Sequence, residues 1–318
     1  MDSNMLDILS TVANERSAVA NNLDVNVVMK YVYIYVQMSE RIIRESLNTV
    51  KKIMLNDISG ILTGTDVLSC QKQFTKFFDY VVYGGKYLRS TLLTSIFRHL
   101  EPSANSAENK RTAEVAACLE VLQAFYLTLD DIVDGGIQRR GKPCWHTLTG
   151  VGVNAINDSL LLESSIHKAL FTILRGHPLA SSVCDYFCEI KRVTTIGQIL
   201  DGATSGIKDC TWERYRNIVY CKTSFYTTCA PVYLALLLAD QRKYWTELEP
   251  LCVNLGYLFQ AQDDFLDCYG HVEDTGKTGT DLKEGKCTWI TCKAVEKLES
   301  PEFSSYSTVF EVNFLFTF

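Results

Sequence analysis

The sequence predicts an all-α, single-domain fold, and three observations carry that expectation. Apolar residues recur at helical spacing through most of the 318 residues, so each segment has one face to bury. The only alternating stretch, Val32-Tyr33-Ile34-Tyr35-Val36, sits inside a longer helical period. The breaks are short and polar or carry Gly and Pro: Glu101-Pro102-Ser103-Ala104-Asn105, Arg175-Gly176-His177-Pro178, and Gly276 to Gly285. No linker or short repeat divides the chain, so 1–318 reads as one domain.

Taken in order, helices are expected from about Met29 to Met54, Gln71 to Val82, Leu88 to Leu100, Ala113 to Asp134, Ala155 to Leu174, Ser181 to Ala203, Trp212 to Asp240, Trp245 to Asp267 and Thr288 to Leu298. Leu119, Leu122 and Tyr126 form a stripe that leads to Asp130; Leu255 and Phe259 lead to Asp263. Residues before about 28 read as an N-terminal arm. The longest clean apolar run, Ala230 to Ala239, has the length of a buried core helix, and no stretch is expected to span a membrane.

Composition narrows the function classes. At 47% hydrophobic the chain can bury a large core, and a net charge of −6 gives no broad basic field for nucleic acid. The start, Met1-Asp2-Ser3-Asn4, lacks a basic segment followed by an apolar one, which points to the cytosol. Twelve cysteines contain no Cys-x-x-Cys pair and five histidines are scattered, so free thiols are expected rather than a disulfide or zinc framework.

Chemistry concentrates in two acidic words, Asp130-Asp131-Ile132-Val133-Asp134 and Asp263-Asp264-Phe265-Leu266-Asp267. In each, the first and last Asp stand four residues apart and share a helix face. Gly135-Gly136 and Gly270 follow as helix stops. Carboxylates in a last turn lie at the negative end of the helix dipole, so each cluster calls for a cation. Oxygen-only ligands suit Mg²⁺, which completes its shell with phosphate oxygens and water. Cations accompany the acids. Arg139-Arg140-Gly141 follows the first cluster, and Gly84-Gly85-Lys86-Tyr87-Leu88-Arg89 lies upstream. Lys222-Thr223 sits in a mostly apolar helix, and Gly276-Lys277-Thr278-Gly279 follows the second cluster. Gln198 and Asp201 add a carboxamide and a carboxylate. Any one of these reads as ordinary solvated surface; their pairing around two matching clusters does not.

With these motifs in place the chain resembles the trans-isoprenyl diphosphate synthases, specifically the farnesyl diphosphate synthase group, from about Gln71 to Leu298. The first acidic word with Gly135 to Trp145, Ala155 to Glu163, Gly197-Gln198, Lys222-Thr223, Phe259 to Cys268, Gly276-Lys277 and Lys286-Cys287-Thr288-Trp289 fall in that family's order. The resemblance implies a bundle of about ten helices around a central active-site cavity, the isoprenoid synthase fold, acting as a homodimer. It implies Mg²⁺, three ions, held by Asp130, Asp134, Asp201, Asp263 and Asp267. Asp131 and Asp264 are expected to join the catalytic carboxylates, while Arg139, Lys222 and Lys277 grip an allylic diphosphate. Thr223, Gln260, Gln198 and Lys286 would line that substrate. Gly85, Lys86, Arg89, Gln123 and Arg140 match positions for isopentenyl diphosphate, and Phe125 and Tyr126 would floor the pocket and limit chain length.

Departures from the pattern bear on which reaction follows ionisation. The Tyr80 to Ser90 segment lacks the usual Asn and Pro before its glycines, and carries Leu88 for Asn and Ser90 for Gly. Thr227-Thr228-Cys229-Ala230 is smaller and less aromatic than usual, and the helices after about 298 are shortened relative to the family. The narrow expectation is therefore a sesquiterpene synthase of the sort known in some insects, acting on farnesyl diphosphate. The alternative is a farnesyl or geranyl diphosphate synthase that condenses an allylic diphosphate with isopentenyl diphosphate. A non-catalytic partner subunit is third.

Overall fold

Helix follows helix, as the periodicity predicts. The computed structural model describes residues 25–204, 206–271 and 279–298, with side chains described from residue 40 onward. The expected N-terminal arm up to residue 24 and the stretch after 298 lie outside those residues. Helix α1 covers Val25–Ile61, α2 Thr65–Val81, α3 Leu88–Leu100 and α4 Ser106–Val133. A two-stranded hairpin, β1 (Gln138–Arg139) and β2 (Lys142–Pro143), leads to α5 (Ala155–Ile173) and α6 (Ala180–Gly202). Then come α7 (Trp212–Ile218), a π-helical stretch Val219–Cys229, α8 (Ala230–Leu238), α9 (Trp245–Tyr269) and α10 (Trp289–Leu298). The Val32 to Val36 alternation lies within α1.

Helix α4 is the axis of the core. Val115, Leu119, Val121 and Leu122 are fully buried, and α1 (Ile43, Leu47, Met54), α2 (Phe77, Phe78), α5 (Leu162, Ile166) and α6 (Phe187, Ile190) close around it. By length and composition alone α4 is long and apolar enough to cross a membrane. The apolar window is 83% buried inside the protein, as befits a core helix. It begins seven residues earlier than the periodicity suggests because a capping box starts it. The Asn105 side chain accepts from the amides of Ala107 and Glu108, while the Glu108 carboxylate accepts from the Asn105 amide at 2.8 Å.

One expected helix, Trp212 to Asp240, is divided in three. Between α7 and α8 the backbone winds with i→i+5 bonds. Pro231, in the first turn of α8, has no amide to continue the ladder into the stretch before it. Two glycines let neighbouring helices press on this wide turn. A Cβ on Gly197 of α6 would stand 2.4 Å from the Lys222 nitrogen, and one on Gly256 of α9 would stand 2.4 Å from Ser224 Cα. Lys222 and Thr223 are thus clamped from both sides. Helix α9 is otherwise exposed along Leu251, Leu255, Leu258, Phe265 and Tyr269.

Gly256→Ala should therefore destabilise the protein by about 3 kcal/mol in urea unfolding, at the upper end of overpacking costs. Gly60→Ala, at an exposed position of α1 with nothing within 4 Å, should instead be neutral or stabilising.

Candidate active site

The C-terminal ends of α4, α6 and α9 carry the acids, and two lysines tie them together. The amide of Asp134, the residue capping α4, bonds the Asp130 carbonyl at 2.8 Å. Gly135 then takes φ 60°, which stops the helix. Lys222 sits 2.6 Å from Asp201 and 3.3 Å from Asp130, and the Gln198 amide donates to Asp130 at 2.9 Å. Lys286, only 7% exposed, sits 2.7 Å from Asp134, 3.2 Å from Glu284, 3.7 Å from Asp281 and 3.8 Å from Asp201. The Asp281 amide donates to Asp267 at 3.0 Å. A chain of contacts thus runs from the first acidic cluster through Lys286 and Asp281 to the second. Asp263, half-buried, lies one turn before Asp267 on α9.

Charges in this cluster move one another's protonation. Burial pushes Asp130 upward, but Lys222, the Gln198 amide, Lys286 and Arg139 outweigh it and hold the carboxyl below its ordinary range. Asp134 goes the other way, raised by burial and by the charge of Asp130 against the pull of Lys286. Burial alone would lower both lysines; the carboxylates around them reverse that and raise them.

The second Asp of each cluster does something different. Asp131, 5% exposed, turns inward and accepts from Arg139 at 2.6 and 2.8 Å. Asp264, 2% exposed, accepts from the Tyr215 hydroxyl, the Gln260 amide and the Trp289 backbone. Neither joins the lysine-bridged carboxylates: both are engaged by donors of their own. Arg139, expected on a diphosphate, is likewise taken by Asp131. Thr223 donates to Gln260. Lys277 lies outside the described residues. All twelve cysteines are free, as expected.

The hairpin explains how adjacent arginines serve two places. Arg140 and Gly141 form its two-residue turn with φ 53° and 72°. Arg139 faces Asp131, while Arg140 donates to the carbonyls of Val81 and Tyr83 at 3.1 and 3.2 Å. Its guanidinium packs so close to Gly85 that a Cβ there would meet it at 2.9 Å. Burial lowers the Arg140 pKa, as do the charges of Arg139 and Arg89, while Glu120 opposes them. Arg89 donates to Thr227 at 2.6 Å and stacks over the Tyr226 ring at 4.2 Å. Its Nε, and Oε1 of Gln123, are buried without a partner among the described residues. Lys86 is exposed beside them.

Phe125 and Tyr126 are both buried with ring centroids 4.9 Å apart. The Tyr126 hydroxyl donates to the Lys191 carbonyl at 2.9 Å.

Residue reading missed Glu120, buried at 5% and bonded to both the amide and hydroxyl of Ser90. An acid within an apolar stripe was a usable signal. Asp281 was placed in the loop after the second acidic word but given no role, and Tyr215, for which spacing offered no signal, was missed.

The two Asp shifts predict opposite slopes in unliganded stability. Stability should rise as pH climbs from the depressed value of Asp130 to the ordinary carboxylate value. It should then fall between that value and the raised one of Asp134. Asp134→Asn should remove the second slope and raise the neutral melting temperature by about 2 °C, read by thermal unfolding across pH.

The polyprenyl synthetase family model matches residues 71–310. Farnesyl pyrophosphate synthase of Bos taurus is 36% identical over 277 residues, covering 84% of this chain and 77% of that protein. Farnesyl pyrophosphate synthase 2 of Arabidopsis thaliana is 38% identical over 227 residues, covering 69% and 66%. The fold is similar to T. brucei farnesyl diphosphate synthase complexed with risedronate, with TM-score 0.77 and 26% identity over 85% of this chain and 81% of that one. These likenesses favour the prenyltransferase alternative over the narrower terpene synthase expectation. With the family model matching well over half its length, the chain belongs to the polyprenyl synthetase family.

Proposed function

We propose that the protein is a Mg²⁺-dependent prenyl diphosphate synthase that joins an allylic diphosphate to isopentenyl diphosphate. The observation that carries this reading is the second cationic pocket. Arg89 lies near enough to Arg140 for its charge to lower the Arg140 pKa, and Arg89 Nε and Gln123 Oε1 are buried without a partner among the described residues, a state that costs free energy unless a ligand completes it. A guanidinium pair suits a diphosphate through charge-assisted bonds. An enzyme acting on a single diphosphate has no use for a second such pocket.

The first pocket fits Mg²⁺ by donor type, since its lysine-bridged carboxylates offer oxygen alone. Among the described residues no ready-made metal cage of several ligands exists, in keeping with an ion held by one or two carboxylates and substrate phosphate. Asp130, Asp134, Asp201, Asp263 and Asp267 would hold the ions, three by resemblance. When bound, Mg²⁺ neutralises charge that gathers on the departing diphosphate. Lys222 and Lys286, both kept protonated by their carboxylates, turn from those oxygens to the phosphate oxygens and stabilise the same charge. Phe125 and Tyr126 close the apolar end and bound the length of the prenyl chain. Arg89, Arg140 and Gln123 hold isopentenyl diphosphate so that its double bond meets the allylic carbon. The chain is proposed to work as a homodimer, by the same resemblance.

A second reading keeps one observation on its side. Thr227 and Tyr226 already engage Arg89, and a terpene synthase acting on farnesyl diphosphate alone would not need that arginine free. One assay separates the readings. Purified protein with Mg²⁺ receives geranyl diphosphate plus isopentenyl diphosphate in one tube and farnesyl diphosphate alone in another, with products resolved by mass spectrometry. A chain-lengthened diphosphate from the first tube is expected. Hydrocarbon or alcohol from the second, with nothing from the first, overturns the proposal; silence in both favours a non-catalytic subunit. Asp130→Ala should abolish turnover. Arg89→Ala should slow condensation about 100-fold, and an unchanged rate would remove Arg89 from the second pocket.

A further inference from the structure

Asp264 belongs to the second acidic word, yet it is buried and bonded on both oxygens. Its Oδ2 accepts from the Tyr215 hydroxyl at 2.8 Å and from the Trp289 amide at 2.8 Å. Its Oδ1 accepts from the Gln260 amide at 2.7 Å, and Gln260 in turn accepts from Thr223. Two active-site cations are therefore fastened to one carboxylate along short stretches of backbone. Trp289 stands three residues after Lys286, and Thr223 directly follows Lys222. The phenol is held as firmly as its partner. Tyr215 is 1% exposed, its ring lies edge-on to Tyr257 at 5.5 Å and to Trp212 at 6.0 Å, and Thr211 caps the helix that carries it.

We propose that Tyr215 is a positioning residue for the diphosphate pocket: through Asp264 it fixes the Trp289 amide and so sets where Lys286 meets Asp134, Asp201 and Asp281. This rests on the reading of that pocket given above, but its geometry is separable from it. Tyr215 touches none of the lysine-bridged groups, and the only polar contact described for its hydroxyl is Asp264. The hydroxyl is one of three donors that orient the carboxylate, beside the Gln260 and Trp289 amides. With it gone, Oδ2 is held by the Trp289 amide alone, and the 281–289 turn loosens. The aromatic contacts of the ring, by contrast, do not need the oxygen.

The test is the acetylation rate of individual lysines, followed by mass spectrometry on the full chain with sulfo-N-hydroxysuccinimide acetate. Tyr215→Phe keeps the ring and removes the oxygen. Labelling of Lys286 is expected to rise about tenfold while Lys191, paired with Glu163 at the α5–α6 contact, keeps its rate. Asp264→Ala should raise Lys286 labelling as much or more, and adding Tyr215→Phe to it should change nothing further. An unchanged Lys286 rate in Tyr215→Phe, an equal rise at Lys191, or additive effects in the double variant would overturn the proposal. If Asp264→Ala does not fold, the Tyr215→Phe rates alone decide. Titration of the same proteins with inorganic pyrophosphate and Mg²⁺ reports separately on the pocket: affinity should fall about tenfold in Tyr215→Phe. Failure of the unsubstituted protein to bind pyrophosphate would sink the pocket reading while leaving the labelling result to judge Tyr215.

Discussion

Charge pairing at converging helix ends is the constraint on which this molecule is built. Among the described residues, Asp130, Asp134, Asp201, Asp281 and Glu284 all lie within ion-pair reach of Lys222 or Lys286. Most of these acids also sit where the helix dipole is negative. Asp134 is raised, first by its burial and then by the charge of Asp130. The site's oxygen-only donors are of the type that suits a divalent metal.

The remainder of the fold serves to hold those ends in register. Helix α4 brings the first cluster through the middle of the core, so its direction is fixed by packing on every side. Gly197 and Gly256 bring α6 and α9 against the backbone of the wide π turn. The hairpin after α4 then sends one arginine back to Asp131 and the next toward Gly85. A single polar turn thus sends adjacent arginines to two different neighbours.

Much of this was legible in the residues, for physical reasons that differ by element. The α3 and α5 boundaries follow from apolar period and adjacent breakers, and the shared helix face of the first and last Asp of each acidic word from their spacing. Gly270 and Gly135 stop their helices as read, although only Gly135 does so with positive φ. What stayed hidden depends on contacts distant in sequence. Nothing local in Asp-Asp-x-x-Asp says that its second carboxylate points inward, since that direction is set by Arg139 in one case and by Tyr215 and Trp289 in the other. The π turn escaped because Pro231 sits in a run that reads as uninterrupted helix. Asn105 with Glu108 was a readable cap hidden by its polar neighbours.

Tyr226 carries a consequence for how positive charge is distributed inside the protein. Its hydroxyl is tied to the Leu119 carbonyl at 3.3 Å, and one face is already covered by the Arg89 guanidinium. An aromatic quadrupole matched to a permanent cation has little left for a transient one. An electron-poor carbon generated nearby would meet repulsion from that wall instead of shelter. The lifetime of such a carbon would then depend on whichever electron-rich partner approached from the opposite side.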